Sequence, residues 1–373
     1  MGAIRLGKIF GIEVRLHFSW VIIFFLVGYT LSFFYFPEQY EGLPQSTYIT
    51  MGLITTFFFF ASILFHEMSH SLVARRNGIP IRFITLFVFG GVSSIAKEPD
   101  SPNVELKMAA AGPAASLFLG VFFGAVGVAA ALAGAGAPIT GVAAYLAFIN
   151  VLLAAFNLVP GFPLDGGRLL RALIWKLTGS IQRATKIAAD FGRGVAVLLI
   201  AGGLFLVLTN YLVNGLWFIF IGWFLDQAAR GSYQQVVVSQ ALSRVLVRDL
   251  MTPDPVTMPD DLTLRRAVDE YFLAHKHSGF PVTRNEEPVG VISLSDIRHV
   301  PQGEWDSVRV SQVMEPLGHG AVVEADNHVT DLLTRLHDRE TDRLLVVDRN
   351  HHIAGIVTND DIARYLRVQV ALR

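Results

Sequence analysis

The run FFFFASILFHEMSHSLVARR occupies residues 57–76, and its reading decides the fold. It begins as an apolar stretch of the kind that crosses a bilayer, then places His66-Glu67-Met68-Ser69-His70 on the same span before Arg75 and Arg76 close it. An ionisable group in a span costs about 2.5–3.5 kcal/mol on insertion scales and marks a functional site by default. Three within five positions need a common partner. Residues four apart on a helix share a face about 6 Å apart, so His66 and His70 can offer nitrogens to one Zn2+ per chain. Glu67 between them is placed as general base toward a water at that ion, whose pKa the metal brings toward about 7. His70 precedes Arg75 by only five residues, about 7–8 Å of helix rise. The site therefore belongs inside the membrane, near one face.

The rest of the chain agrees. Of 373 residues, 52% are hydrophobic and 16% charged, against about 45–50% and 25% in soluble domains. Residues 1–230 hold 15 Lys+Arg and 10 Asp+Glu, a net of +5; residues 231–373 hold 15 and 21, a net of −6. The first part reads as membrane and the second as a soluble module. Six spans are expected at 16–36, 48–74, 106–133, 140–159, 186–209 and 211–229. The first apolar run is too long for a cleavable signal. There is no cysteine, so a metal must be held by His, Asp or Glu. No Lys/Arg-dense stretch suggests nucleic acid.

Between the second and third spans, RFITLFVFGGVSSIAK (82–97) reads as a β-hairpin turning at Gly90-Gly91, set re-entrantly in the membrane domain. After the fourth span, NLVPGFPLDGGR (157–168) breaks the helix, and a short helix is expected over 168–177. Lys and Arg gather before the first span, between the second and third, and between the fourth and fifth, whereas PEQYEGLPQS, AGAGAP and the turn at Asn210 have none. The positive-inside rule then places both termini in the cytosol of a multi-pass cell-membrane protein.

A catalytic zinc site takes a third protein ligand. Asp165, within the non-helical PGFPLDGG stretch, is the best candidate. Irregular backbone at membrane depth is tolerated only where protein buries it or it lines a wet cavity. The alternative use of Asp165 is as N-cap of the helix that follows. Topology favours the ligand, because the second and fourth spans end on the same side.

HEMSH on the second span with NLVPGFPLDGGR after the fourth resembles the site-2 protease family of intramembrane metalloproteases, peptidase family M50. FGGV after the first β-run and Gly112-Pro113 on the third span belong to the same likeness. The resemblance implies His66, His70 and Asp165 as zinc ligands and Glu67 as catalytic base. It also implies transmembrane protein substrates cut near their cytosolic ends, in regulated intramembrane proteolysis. Asn157 matches the Asn of the family's fourth-span motif, either as a substrate or oxyanion group or as a helix-end amide. The hairpin at Gly90 and Gly91 either holds an extended substrate strand by edge pairing or is a packing element.

Beyond Arg230 the chain repeats itself at an offset of 63–65 residues: Arg248-Asp249-Leu250-Met251-Thr252 with Ser311-Gln312-Val313-Met314-Glu315, and GVISLSDI (290–297) with GIVTNDDI (355–362). These copies resemble a tandem CBS pair, a Bateman-type α/β module. The chain then divides into 1–230, a membrane metalloprotease domain, and two CBS domains at 244–303 and 306–370. The likeness points to Ser293, Asp296, Thr358 and Asp361 as ribose-binding groups for ATP, ADP or AMP, with helix caps as the alternative. It also suggests a homodimer formed through the CBS domains. The His351-His352 turn reads as solvated. The competing reading is a CBS-gated transporter or channel with the His/Glu cluster as an ion site, though the spans show no obvious inverted repeat.

Overall fold

The computed structural model of the chain describes residues 3–88, 90–95, 98–243, 245–275, 277–317, 322–329, 343–348 and 352–371. These form two compact units, Met1–Val236 and Val237–Arg373.

Among the described residues, six helices are long and apolar enough to cross a membrane. The first runs over Phe18–Gln39, as α1 (Phe18–Thr30), a π-turn at Leu31–Tyr35 and α2 (Phe36–Gln39). The others are α3 (Gln45–Arg76), α4 (Pro102–Leu132), α5 (Ala137–Asn157), α7 (Ile181–Leu208) and α8 (Leu212–Leu242), with the amphipathic α6 (Asp165–Thr178) between α5 and α7. Local chemistry sets the ends. Ser101 caps α4, its Oγ accepting from the Val104 amide at 3.4 Å, and Pro102 occupies the first turn, where no amide donor is needed. Gly179, at φ 67°, ends α6. The stretch after Arg230, beyond the sixth expected span, is helical through Leu242, because Val236 and Leu242 find apolar burial.

A four-stranded sheet, ordered β1-β2-β3-β4, completes the unit: β1 (Ala3–Ile9), β2 (Ile12–His17), β3 (Ile81–Phe87) and β4 (Gly90–Ile95). The expected hairpin thus forms, but as half of a sheet that also takes in residues 3–17. β2 and β3 pair in parallel, Val14 with Ile84, and the other pairs are antiparallel. Ile12, Val14 and Ile84 are buried against Met68, with Leu64 and Leu72 alongside. At 100° per residue, the 64/68/72 face of α3 looks at the sheet, and His66 and His70 lie on the opposite side of the helix.

The hairpin turn is placed differently from the sequence reading. Gly90 and Gly91 are not the turn; they lie on β4, opposite Phe87 and Leu86.

Among the described residues the second unit holds two four-stranded sheets, one ordered β6 (Met258–Pro259), β7, β8, β9 and the other β10 (Val322–Glu324), β11 (Arg343–Val347), β12, β5. In the first, β7 (Gly279–Arg284) and β8 (Glu287–Ser293) pair with each other, and β8 takes β9 (Glu315–Pro316) from the second repeat. In the other, β12 (Ile353–Thr358) takes β5 (Thr252–Pro253) from the first. Each repeat therefore lends a short strand to its neighbour's sheet. The matching sequence motifs meet at these exchanges, with Met314 over Gly290 and Met251 over Gly355. His351 lies outside the described residues.

Candidate metal centre

Helix α4 faces the two histidines of α3 with Met108, Gly112 and Ser116, spaced four apart on one stripe. The His70 Nδ1–H donates to the Met108 carbonyl at 2.6 Å. A carbonyl only accepts, so a neutral His70 ring keeps a lone pair on Nε2. His66 Nδ1 lies 2.8 Å from Ser116 Oγ, which can hold that ring in the same tautomer. Both rings are buried.

Their Nε2 atoms converge on Asp165. Oδ2 stands 3.1 Å from His66 Nε2 and 3.1 Å from His70 Nε2, and the two nitrogens are 3.2 Å apart. Among the described residues these three are the group of His and acidic side chains that could hold a metal ion. Three lone-pair donors facing one another in a buried site repel unless a cation sits among them. Donors about 2.0–2.2 Å from one tetrahedral ion stand about 3.3–3.6 Å apart, close to the observed triangle. The room is made by a missing side chain: a Cβ on Gly112 would fall against the Nε2 atoms of both histidines. The residues present fit zinc.

Asp165 is the first residue of α6, and Leu164 is the N-cap position, with no side-chain cap bond. Its carboxylate reaches the histidines instead of closing the helix end. Arg171, farther along α6, is buried and donates from Nε to Glu105 Oε1 of α4 at 2.6 Å and from Nη2 to the same oxygen. The pair ties α6 to the helix that orients the histidines.

Glu67 faces another way, toward β4. Ser93 Oγ donates to its Oε2 at 3.2 Å, and Ser71, one turn along α3, lies 3.1 Å from Ser93 Oγ and donates to it. A Cβ on Gly91 would fall on Glu67 Cγ. Glycine here is a matter of close approach, since β4 must pass against the Glu67 side chain. β4 is also an outer strand of its sheet.

The remaining sequence candidates lie elsewhere. Asn157 donates from Nδ2 to Leu153 O at 3.0 Å, on its own helix, and no hydrogen bond joins it to the triad among the described residues. In the second unit, Ser293 and Asp296 form a capping box, as do Thr358 and Asp361: Ser293 Oγ donates to Asp296 Oδ2 at 2.6 Å and Thr358 Oγ1 to Asp361 Oδ2 at 2.8 Å. The residues that sequence reasoning missed are Ser93, Ser71, Ser116 and the Met108 carbonyl. Gly112 was marked by its neighbour Pro113, and nothing in the pattern marked the serines.

Comparison with known proteins decides the family. Residues 54–136 and 126–201 match the sequence model of Peptidase family M50, and 247–303 and 310–368 that of the CBS domain. A Mycobacterium tuberculosis protein named as a zinc metalloprotease, Rip3, is 36% identical over 98% of this chain and 93% of its own length. The chain belongs to peptidase family M50. Zinc metalloprotease MJ0392 of Methanocaldococcus jannaschii is 29% identical over 98% of this M50 chain and 96% of its own. A solved site-2 protease from the same archaeon aligns with 62% of this chain and 95% of that one, at 27% identity and a TM-score of 0.41. This M50 protein is thus a zinc metalloprotease of the membrane, multi-pass and with tandem CBS domains. The transporter reading gives way to it.

Proposed function

We propose that the chain hydrolyses a peptide bond of a transmembrane protein substrate, with His66 Nε2, His70 Nε2 and Asp165 Oδ2 holding one zinc ion and Glu67 acting as the general base. The observation that carries this is the convergence of three donors, two on buried histidines of α3 and one from α6, beside a glutamate held by its own serine relay. Zinc bound there would supply Lewis-acid polarisation of the scissile carbonyl and a lowered pKa for the attacking water. Glu67 accepts the proton from that water and delivers it to the leaving nitrogen, so the peptide nitrogen departs as a neutral amine. Ser93, itself receiving from Ser71, fixes Oε2 and leaves Oε1 to handle the proton. Gly112 and Gly91 keep Cβ atoms out of the space that the donors and the base need.

A substrate helix hides its backbone, so the bond must first be drawn out as a strand. The outer edge of β4, carrying Gly90 and Gly91 beside Glu67, suits such pairing. We place the β3–β4 hairpin re-entrantly, because Glu67 on a membrane span lies against it. Arg75 and Arg76 in the last turn of α3 support cleavage near the cytosolic face, with both termini cytosolic. Asn157 becomes a substrate contact only if its amide leaves Leu153.

The CBS pair is proposed to bind an adenine nucleotide and to bias proteolysis, with the first repeat the better site. Asp361 Oδ1 already takes an ion pair from Arg364 at 3.1 Å, whereas no hydrogen bond to Asp296 Oδ1 occurs among the described residues. Dimerisation through the same module is compatible with this. The test of the catalytic reading is a pair of variants in proteoliposomes. Glu67→Gln should keep zinc and lose cleavage; Asp165→Ala should lose zinc. Residual cleavage in the first, or full zinc occupancy in the second, overturns the corresponding role.

A further inference from the structure

Helices α7 and α8 run antiparallel and pack closely, Gly203 against Gly215 and Ala196 against Gly222. Continuing that register sets Ala189 by Ala229, Arg193 by Asp226 and Lys186 by Tyr233. There the seam opens into a pocket of about 270 Å³, lined by Lys186, Asp190 and Arg193 of α7 and Arg230, Tyr233 and Gln234 of α8. Arg193 Nε lies 3.2 Å and Arg230 Nε 2.7 Å from the two oxygens of Asp226, and Arg193 Nη1 is 3.8 Å from Asp190. No carboxylate pairs with Lys186 among the described residues. Three cations against Asp190 and Asp226 leave a net +1.

We propose that this pocket binds the phosphate headgroup of an anionic lipid in the adjoining leaflet, and that its occupancy steadies the loop carrying Asp165. Basic pockets between membrane helices recognise such headgroups. A lipid rather than a soluble anion is indicated by exposed aromatics on the same two membrane helices. Phe191 and Trp223, each 54% exposed, stand beside Asp190 and within a turn of Asp226 and offer apolar surface to an acyl chain. Coupling to the loop follows from the pocket's floor. Ala189 belongs to a buried cluster with Ala188, Ala229 and Phe162, and the Phe162 amide donates to Ala188 O at 3.1 Å. Phe162 is three residues from Asp165.

The test titrates phosphatidylglycerol and phosphatidylcholine onto the detergent-purified full chain, counting bound lipid by native mass spectrometry. Phosphatidylglycerol should bind in preference. Each cation near an anionic surface contributes about five-fold, so Lys186→Gln should weaken binding about five-fold and Lys186→Glu about 25-fold. Lys176→Gln, a cation on α6 outside the pocket, should change it less than two-fold. Hydrogen exchange at the Phe162 amide should slow several-fold with phosphatidylglycerol in the wild type and not in Lys186→Glu. Equal binding of the two lipids, or equal losses in Lys176→Gln and Lys186→Gln, refutes the headgroup site. Displacement of the lipid by inorganic phosphate assigns the pocket to a soluble anion and refutes the lipid. Unchanged exchange at Phe162 refutes the coupling.

Discussion

Replacing Arg171 by Met tests whether α6 is held in place by charge. The Glu105 side chain has no exposed surface and that of Arg171 only 6%, so the carboxylate would be left buried with Arg168, 3.9 Å from Oε1, as the nearest remaining cation. Breaking a buried pair by removing one partner costs about 3–5 kcal/mol. Arg168 can swing part of the way in, which places the loss at the low end, about 3 kcal/mol. At about 2–4 °C per kcal/mol for a domain of this size, thermal unfolding in detergent should fall by about 6–12 °C. The double variant Glu105→Met with Arg171→Met removes both charges, and such replacements are often neutral or stabilising, so it should regain most of the loss. Arg171→Lys keeps the charge but not the two donors on Oε1, and should fall between. Zinc content should track stability in this series, because α6 begins at Asp165. A single-variant loss below about 1 kcal/mol, or a double variant no better than Arg171→Met, would refute the clamp.

Other outcomes follow from the same geometry. Gly112→Ala puts a methyl group against both histidine Nε2 atoms; it should cost about 1–3 kcal/mol of overpacking and lower zinc occupancy by metal analysis. Gly91→Ala displaces Glu67 instead, and should keep zinc while cleavage in proteoliposomes falls by at least ten-fold, a barrier increase of about 1.4 kcal/mol. Single cysteines, informative because the native chain has none, should label from the cytosol at Arg230 and from outside at Pro44; the reverse pattern would invert the topology. Calorimetry of the full chain with ATP, ADP and AMP should show Asp296→Ala losing nucleotide and Asp361→Ala retaining it, and equal losses would contradict the asymmetry.

What could be read from the sequence was whatever repeats over many residues. A span is some twenty apolar positions, and HEMSH fits within five, so the six helices and the histidine pair were visible early. The N-terminal sheet was legible too and was missed. Ile12-Glu13-Val14-Arg15-Leu16-His17 alternates as a strand should, but it abuts the apolar run from Phe18, which hides where the strand ends and the span begins. Its pairing with β3 joins residues about seventy apart, which no local pattern announces. The extension of α8 was hidden because Gly231-Ser232 and Gln234-Gln235 look like a linker, although Ala229, Tyr233 and Val236 repeat at helical spacing. Ser93 and Ser116 each act through one hydroxyl, and a single hydroxyl has no period.

The two glycines explain why the centre needs more than its motif. Histidines at i and i+4 meet one ion from any exposed helix, but here they must do so between closely packed helices. The ligands supply charge and lone pairs, whereas α4 and β4 supply absence. Gly112 leaves room beside the Nε2 atoms, and Gly91 leaves room beside Glu67. These two faces of α3 are reached from different elements, and the elements differ in how they are held. Helix α4 is tied to α6 through Glu105 and Arg171, so metal binding and the placement of Asp165 share one framework. β4 is tied through Ser93 to Glu67 and is otherwise an outer strand. Disturbance on the α4 side should therefore appear as lost metal, and disturbance on the β4 side as lost turnover with metal retained. If β4 is the substrate edge proposed above, it can therefore shift without disturbing the proposed zinc ligands.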